Sequence, residues 1–193
     1  ILKVCQDGGV VTALLLFALE KGLTDGAIVA GFSREKPFYP TPRLAASSEE
    51  ILESAGTRYS YSPNILALPE GVKRKKMSIA FVGTPCQIHA IRKMQIAGLK
   101  KYTAPLKFLI GLMCSECFAY EGLIEKYIHE KLGVNLSGIR KVNIKGRMLV
   151  TTDSGVKTIP LAEIKQYARK SCSFCDDFSS ELADISAGGL GLD

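Results

Sequence analysis

The sequence predicts an α/β fold, α+β overall, in which helices cover a core sheet and a β-rich C-terminal extension carries a cysteine loop. Through the first 135 residues, short apolar runs alternate with segments of helical composition, which is typical of a sheet covered by helices. After residue 135, polar and apolar residues alternate around tight turns, and this pattern favours β-hairpins. We therefore predict two domains, residues 1–135 and 136–193.

The predicted core domain contains four helices and three strands. The first helix is apolar and should end at Gly22, and the second opens at Ser47, whose spacing to Glu50 is that of a capping box. The helices are predicted over residues 10–21, 47–55, 87–97 and 120–132, and the strands over residues 27–32, 78–82 and 108–112. Prolines 37, 40 and 42 predict an extended loop over residues 33–46.

The predicted extension begins with a hairpin. Strands over residues 141–145 and 148–152 are separated by Gly146 and Arg147, and a second turn follows at residues 153–155. A helix is predicted over residues 161–168. The cysteine loop begins at Ser171, and we expect a short strand over residues 183–187 after it.

Composition and charge exclude some classes of function. The net charge is +6, but the basic residues are dispersed, and the one basic run, residues 73–76, is expected to be a solvated loop or a docking surface for an anionic partner. Basic and aromatic residues do not alternate, so we expect no nucleic-acid binding. The longest apolar stretch, residues 10–19, is too short for a transmembrane segment, and no signal peptide is visible, so a cytoplasmic location is expected. The chain lacks an initial Met and ends in AGGLGLD, which suggests a fragment.

Six cysteines indicate metal or redox chemistry, because four of them form C-x-x-C pairs in a chain large enough to fold without disulfides. They are Cys5, Cys86, Cys114, Cys117, Cys172 and Cys175. The two pairs together make a tetrahedral sulfur site that zinc or an iron–sulfur cluster can fill. The 54 residues between the pairs are too many for an ordinary zinc ribbon, and this grouping leaves Cys86 unused.

A second grouping uses Cys86. Cys86 and Cys114 each follow a predicted strand, and the carboxyl ends of parallel strands lie at one edge of a sheet. If the two strands are neighbours, both thiols reach one crevice, and the loop with Cys172 and Cys175 can close over it. Four cysteines are the usual ligands of a 4Fe-4S cluster, and the helix that starts near Cys86 would direct N–H groups at its sulfurs. Cys5 is expected in the core, Cys117 is undecided, and a packing role is favoured for His89.

A glycine pair precedes the first helix. Gly8 and Gly9 allow close approach of the backbone, and a helix N-terminus can bind phosphate. One pair is a weak signal, since a dinucleotide fingerprint needs three glycines. The ordinary alternative is a turn into the helix.

Five segments in order along the chain are more specific than any single motif. They are CQDGGVVTALLLFALEKGLTDGAIVAG (5–31), AGTRYSYSP (55–63), FVGTPCQIHAIRK (81–93), IGLMCSECF (110–118) and CSFCDDFSSELADISAG (172–188). Together they resemble the coenzyme F420 hydrogenase/dehydrogenase beta subunit family over nearly the whole chain. The resemblance implies a flavoprotein with FAD and a 4Fe-4S cluster. It would pass electrons between the iron–sulfur chain of a hydrogenase or dehydrogenase partner subunit and the deazaflavin coenzyme F420.

The resemblance also implies which residues hold these groups. It assigns the cluster to Cys86, Cys114, Cys172 and Cys175, and residues 1–135 become a flavin-binding core. Where this chain has Arg58, the family more often has Lys. The expected flavin-site residues are Gln6, Asp7, Gly8, Gly9, Thr12, Thr57, Arg58, Tyr59 and Thr84.

Two other functions stay open at the level of sequence. A related flavin and iron–sulfur reductase would act on a different acceptor. A non-catalytic module would use its cysteines to hold zinc and its basic surface to bind a partner.

Overall fold

Five strands form a central, mostly parallel sheet. A computed structural model describes Cys5 and residues 8–189 of the chain. The strands are β1 Gly26–Phe32, β2 Pro40–Ala45, β3 Ile79–Gly83, β4 Leu106–Leu112 and β8 Ile185–Ala187. Their order in the sheet is β2-β1-β3-β4-β8, in which β1, β3, β4 and β8 are parallel and β2 is antiparallel to β1. The predicted α/β core is confirmed.

Helices cover both faces of this sheet, because side chains along each strand alternate between the faces. The helices are α1 Val10–Glu20, α2 Ser48–Glu53, α3 Leu68–Lys73, α4 Pro85–Ile96 and α5 Lys100–Thr103. Ile28 and Phe81 pack with α3 and α4, whereas Val29 and Val82 pack with α1 and α2 on the other face. A 3₁₀ turn, Asn64–Ala67, leads into α3. No helix within the described residues is long and apolar enough to cross a membrane.

A second core forms between a π-helix, Glu121–Lys131, and a three-stranded antiparallel sheet. The sheet consists of β5 Ile139–Lys145, β6 Arg147–Thr152 and β7 Gly155–Ile159, which confirms the predicted hairpin and its second turn. The helix expected over residues 161–168 is shorter, with α6 Leu161–Ile164 followed by a 3₁₀ turn, Lys165–Tyr167. The domain division at residue 135 stays a prediction.

The loop expected over residues 33–46 contains a strand, β2, and that expectation was wrong. Pro40 and Pro42 pair with Phe32 and Ala30 of β1. Proline cannot donate a ladder hydrogen bond, but β2 lies at the edge of the sheet, where one side of a strand needs no partner. The prolines therefore mark an edge strand.

The last described strand, β8, is fixed beside β4 by one carboxylate. Asp184 accepts the N–H of Leu109 in β4 at 2.7 Å and pairs with Arg92 of α4 at 2.7 Å. Gly111 of β4 has no side chain where Ser180 packs, and a Cβ there would overlap the Ser180 hydroxymethyl group. The segment that follows the cysteine loop is thereby joined to both a strand and a helix of the main sheet.

Candidate functional site

The parallel pairing of β3 and β4 places two cysteines at the same edge of the sheet. Gly83, the last residue of β3, pairs with Gly111 of β4. Cys86 lies in the first turn of α4 directly after β3, and Cys114 lies two residues beyond the end of β4. The two strands are therefore neighbours, as the second grouping of cysteines requires, and both thiols lie at the carboxyl edge, where ligand sites gather in such sheets.

Five cysteines line one cavity of about 80 Å³ at this edge. The four expected together, Cys86, Cys114, Cys172 and Cys175, are joined by Cys117. The rest of the wall consists of Tyr61, Thr84, Pro85, Ser115, Arg169 and Ser171. In the described part of the chain, no group of three or more His, Cys, Asp or Glu side chains has the arrangement of a ready-made site for a single metal ion. The cysteines thus form the wall of a cavity.

Cys117 is the most buried thiol of the five, and it contacts two of the others. Its Sγ lies 3.7 Å from that of Cys114, and its N–H is directed at Cys172 Sγ at 3.5 Å. The contact with Cys114, together with burial, raises the pKa of Cys117, while the same contact lowers the pKa of Cys114. Cys114 and Cys117 therefore form one closely coupled pair of thiols in the wall of the cavity.

Backbone hydrogen bonds hold the loop of the last two cysteines against the segment of Cys114. The N–H of Cys114 donates to Phe178 O at 3.0 Å, and the N–H of Arg169 donates to Cys117 O at 2.9 Å. Cys172 itself lies on a 3₁₀ turn, Lys170–Phe174, just beyond Arg169. These bonds join segments more than 50 residues apart in sequence, and for that reason local patterns do not reveal them.

A histidine–aspartate pair ties the same loop to α4. His89 Nε2 lies 2.9 Å from Asp177 Oδ2, and Asp177 is buried, with 8% of its surface exposed. The other carboxylate oxygen accepts the N–H groups of Ser180 at 2.7 Å and Glu181 at 3.3 Å. The packing role expected for His89 is thus a specific contact with a buried carboxylate. Sequence reasoning missed Asp177, whose signal was its position two residues after Cys175.

An arginine–tyrosine pair completes the cavity wall. The guanidinium carbon of Arg169 lies 3.9 Å from the centre of the Tyr61 ring, within the range of a cation–π contact. Burial raises the pKa of Tyr61, so its hydroxyl stays protonated at neutral pH. Sequence analysis had assigned no role to either residue.

Thr84 also belongs to the cysteine cavity. It precedes α4, and its Oγ1 lies 3.2 Å from Cys86 Sγ and accepts a hydrogen bond from Gln87 Nε2 at 3.3 Å. Thr84, expected in the flavin site, is thus in direct contact with Cys86.

The glycine pair lies at the start of α1. Because residues 21–25 connect α1 to β1, the helix runs back along that strand and its N-terminus lies towards the carboxyl edge of the sheet. Gly9 has a φ of 71°, a left-handed conformation that favours glycine, and a Cβ on Gly8 would meet none of the described residues within 4 Å. Thr12 follows in the first turn. Gln6 and Asp7, also expected in the flavin site, lie outside the described residues.

Arg58 is a largely buried cation with unused hydrogen-bond donors. Its Nη1 donates to the carbonyl groups of Ser54, Ala55 and Gly56, and its guanidinium stacks on Phe32 at 3.9 Å. Nε and Nη2 are buried and have no hydrogen-bond partner among the described residues, and burial lowers the pKa of Arg58 to about 10. Such donors suit an anionic ligand.

The neighbours of Arg58 differ in role. Tyr59 uses its hydroxyl to accept the N–H of Ile144 in β5 at 2.9 Å, so it joins the segment after α2 to the second sheet. Thr57 lines a second cavity of about 260 Å³, whose wall includes Phe32, Phe38, Gly56, Arg140 and Lys141. Among the expected flavin-site residues of this segment, Thr57 lines a cavity and Arg58 has donors without a partner in the described part of the chain, whereas the Tyr59 hydroxyl is already bonded.

None of the residues of the basic run, 73–76, lines either cavity. It directly precedes β3, at the end of that strand opposite to Cys86. Five strand residues separate the two edges by roughly 17 Å. The run therefore does not contribute to the cysteine cavity.

Comparisons with known proteins agree with this arrangement. Residues 1–69 match the model of the N-terminal part of the coenzyme F420 hydrogenase/dehydrogenase beta subunit, and residues 76–193 match the model of its C-terminal part. The beta subunit of the coenzyme F420 hydrogenase of Methanothermobacter thermautotrophicus is 40% identical over 98% of this chain and 68% of its own length. A subunit of the F(420)H(2) dehydrogenase of Methanosarcina mazei is 36% identical over 96% of this chain and 52% of its own length.

A solved structure has the same fold. A chain of the F420-reducing [NiFe] hydrogenase complex from Methanosarcina barkeri superposes with a TM-score of 0.91 at 38% identity, covering 98% of this chain and 66% of that chain. This chain thus spans about two thirds of the length of such relatives. By sequence and by fold, it belongs to the coenzyme F420 hydrogenase/dehydrogenase beta subunit family.

Proposed function

We propose that this chain is the electron-transferring beta subunit of an F420-dependent oxidoreductase complex. It would pass electrons between the iron–sulfur centres of a hydrogenase or dehydrogenase partner subunit and coenzyme F420, with a 4Fe-4S cluster and FAD as its own cofactors. The observation that carries the proposal is the convergence of Cys86, Cys114, Cys172 and Cys175 on one cavity at the carboxyl edge of the sheet. The names of the relatives supply the substrate, coenzyme F420.

The cysteine cavity fits an iron–sulfur cluster by the chemistry of its donors. Four thiols come from three separate segments, and Cys₄ is the common ligand set of 4Fe-4S clusters. The first turn of α4 carries Cys86, so the positive end of the helix dipole lies at this side of the cavity. Arg169 adds a positive charge to the wall. These features stabilise a negatively charged group.

The features around Arg58 and the glycine pair fit a flavin dinucleotide. The Nε and Nη2 atoms of Arg58, which have no partner among the described residues, can hold a phosphate, and Gly8 and Gly9 add no side chains at the start of α1. Thr57 and Phe32 line a cavity next to Arg58. When bound, FAD converts between single electrons and hydride, the exchange that joins a cluster to a deazaflavin.

The chain's own residues would bind and orient these groups and exclude water. Phe32 and Phe38 offer aromatic faces in the second cavity, with ring centres 5.1 Å apart. The cysteine loop covers the first cavity, held by the backbone bonds from Cys114 and Arg169 and by the His89–Asp177 pair. Cys86 and Cys175 stay exposed, so this side of the chain is the one from which a partner can approach the cluster.

The same cavity also suits one alternative to the cluster, a zinc site. A zinc site would use Cys114, Cys117, Cys172 and Cys175, and all four line the same cavity. The two ligand sets differ in one cysteine each, since the cluster uses Cys86 and zinc uses Cys117. This difference makes them separable by mutation.

The test begins with anaerobic purification of the full-length subunit in its complex, followed by iron, zinc and flavin assays on one sample. We expect about four irons per chain, a flavin absorption band and a broad iron–sulfur shoulder. Cys86→Ser should lose most of the iron, whereas Cys117→Ser should keep it. The loaded complex should then bleach the visible absorption of coenzyme F420 when given the partner's reductant.

Zinc in place of iron in the purified sample would refute the proposal. A colourless sample with about one zinc per chain, lost in Cys117→Ser and kept in Cys86→Ser, would show a zinc module. A sample with iron and flavin that leaves coenzyme F420 unreduced but passes electrons to another acceptor would instead support a related reductase.

A further inference from the structure

The cysteine cavity contains three side chains that the proposed ligand set does not use: Tyr61, Arg169 and Cys117. We propose that these three residues set the reduction potential of the cluster by making its cavity more positive. The inference rests on the proposed function, because it needs a cluster held by Cys86, Cys114, Cys172 and Cys175. It concerns residues that act on the cluster through space and through its ligands.

Arg169 supplies the charge. Among the described residues that line the cavity it alone carries a permanent charge, and no ion pair neutralises it within the described part of the chain. Four thiolates make the occupied cavity negative, and reduction adds one more electron. A nearby cation therefore stabilises the reduced form more than the oxidised form, which raises the reduction potential.

Tyr61 keeps this charge in place. Its ring lies 3.9 Å from the guanidinium carbon of Arg169, and both side chains line the cavity. The backbone of Arg169 is fixed by its N–H bond to Cys117 O at 2.9 Å. Tyr61 is thus a positioning residue, which limits the rotamers of a long side chain that would otherwise extend into solvent.

Cys117 supplies hydrogen bonds to two ligands. Its N–H is directed at Cys172 Sγ at 3.5 Å, and its thiol lies 3.7 Å from Cys114 Sγ. Hydrogen bonds to ligand sulfurs disperse negative charge and raise the potential of an iron–sulfur cluster. Cys117 is 9% exposed, so water does not readily replace it. Cys117, like Arg169, therefore raises the reduction potential of the cluster.

The experiment is a redox titration of the anaerobically purified complex, followed by the electron paramagnetic resonance signal of the reduced cluster of this subunit. Arg169→Gln removes the charge but keeps the length and polarity of the side chain. We expect the ratio of reduced to oxidised cluster at a fixed potential to fall on the order of tenfold. For a one-electron couple this corresponds to a shift of about 59 mV to more negative potential. Arg169→Lys, the matched control, should keep most of the wild-type ratio.

Cys117 is tested by a second pair of variants. Cys117→Ala removes the side-chain donor, and Cys117→Ser replaces it with a hydroxyl, so only the alanine variant should lower the reduced-to-oxidised ratio, by about threefold. Tyr61→Leu should weaken the effect of Arg169 in part, whereas Tyr61→Phe should keep the stacking and the ratio.

Iron content separates the possible outcomes. Four irons per chain with an unchanged ratio in both Arg169→Gln and Cys117→Ala would overturn this inference and leave the proposed function intact. Wild-type complex without iron in this subunit would overturn both. If Arg169→Gln itself failed to hold iron, the Cys117→Ala and Cys117→Ser pair would still decide, since neither changes a charge or a proposed ligand.

Discussion

Removal of the buried carboxylate of Asp177 should destabilise the protein by about 3 kcal/mol. This carboxylate accepts two backbone N–H groups, from Ser180 at 2.7 Å and Glu181 at 3.3 Å, and contacts His89 Nε2 at 2.9 Å. Hydrogen bonds to a charged group contribute about 1.5–3 kcal/mol each. Asp177→Ala loses all three contacts. The contact with Glu181 is the longest and is weak, and water can reach part of the site. The loss of unfolding free energy should therefore be close to the contribution of the two short contacts, with Ser180 and His89.

Thermal unfolding of the purified protein measures this effect. For a chain of this size, about 3 kcal/mol corresponds to a fall in Tm of roughly 6–12 °C. Asp176→Ala is the matched control, because Asp176 is the exposed neighbour and removal of its charge should shift Tm by less than about 2 °C. His89→Ala should lie between them. Equal Tm values for the Asp177 and Asp176 variants would refute the claim that Asp177 anchors the cysteine loop.

Three further predictions concern other parts of the fold and site. Gly111→Ala should lower Tm by more than about 5 °C, because the new methyl group overlaps Ser180 and lies 2.8 Å from Ala183 Cβ, and this overlap separates β8 from β4. Glu50 accepts the N–H of Ala46 at 2.6 Å, which lowers its pKa, so its contribution to stability is present above its ordinary pKa of 4.5 and is lost as pH falls through the lower folded value. Glu50→Gln should therefore flatten the loss of stability in acid, measured by denaturant unfolding across pH. Arg58→Gln should lower the flavin content of the purified complex at least about fivefold, as measured by flavin absorbance after denaturation.

Matched variants make these results specific. Gly8→Ala should leave Tm nearly unchanged, because a Cβ there meets no atom of the described residues within 4 Å. Glu53→Gln is the matched control for Glu50→Gln, because Glu53 also lies in α2 but pairs with Arg43 at the surface. It tests whether the loss of any glutamate of α2 changes the dependence of stability on acid as the loss of Glu50 does. Arg58→Lys should retain flavin, and full flavin in Arg58→Gln would remove Arg58 from the proposed binding site.

The sequence predicts the central sheet well, because its signals are local. Short apolar runs locate β1, β3 and β4, and the residues after β3 and β4 contain the first two cysteines of the site. The edge strand β2 was missed because its prolines are typical of loops, and only its position at the edge of the sheet makes them compatible with a strand. Local composition cannot indicate which strand will be at the edge.

The rest of the candidate site depends on contacts between distant segments. His89 and Asp177 are 88 residues apart, and Cys117 and Cys172 are 55 residues apart. Arg169 and Tyr61 are also far apart in sequence, and the sequence alone assigned no role to either side chain. Cys117 was left undecided because a C-x-x-C pair predicts two ligands, whereas the fold places five cysteines around one cavity.

The segment after the last cysteine pair explains why the cysteines converge. Asp177 contacts α4 through His89, Ser180 packs against Gly111 of β4, and Asp184 bonds both β4 and Arg92 of α4. These three residues therefore connect the Cys172–Cys175 loop to the helix of Cys86 and to the strand that precedes Cys114. Because contacts within the chain position the loop, the fold itself organises the cavity, and the proposed cluster would need less ordering of the chain to bind. The anchoring contacts are thus as much a part of the site as the thiols, and their loss should lower metal occupancy together with stability.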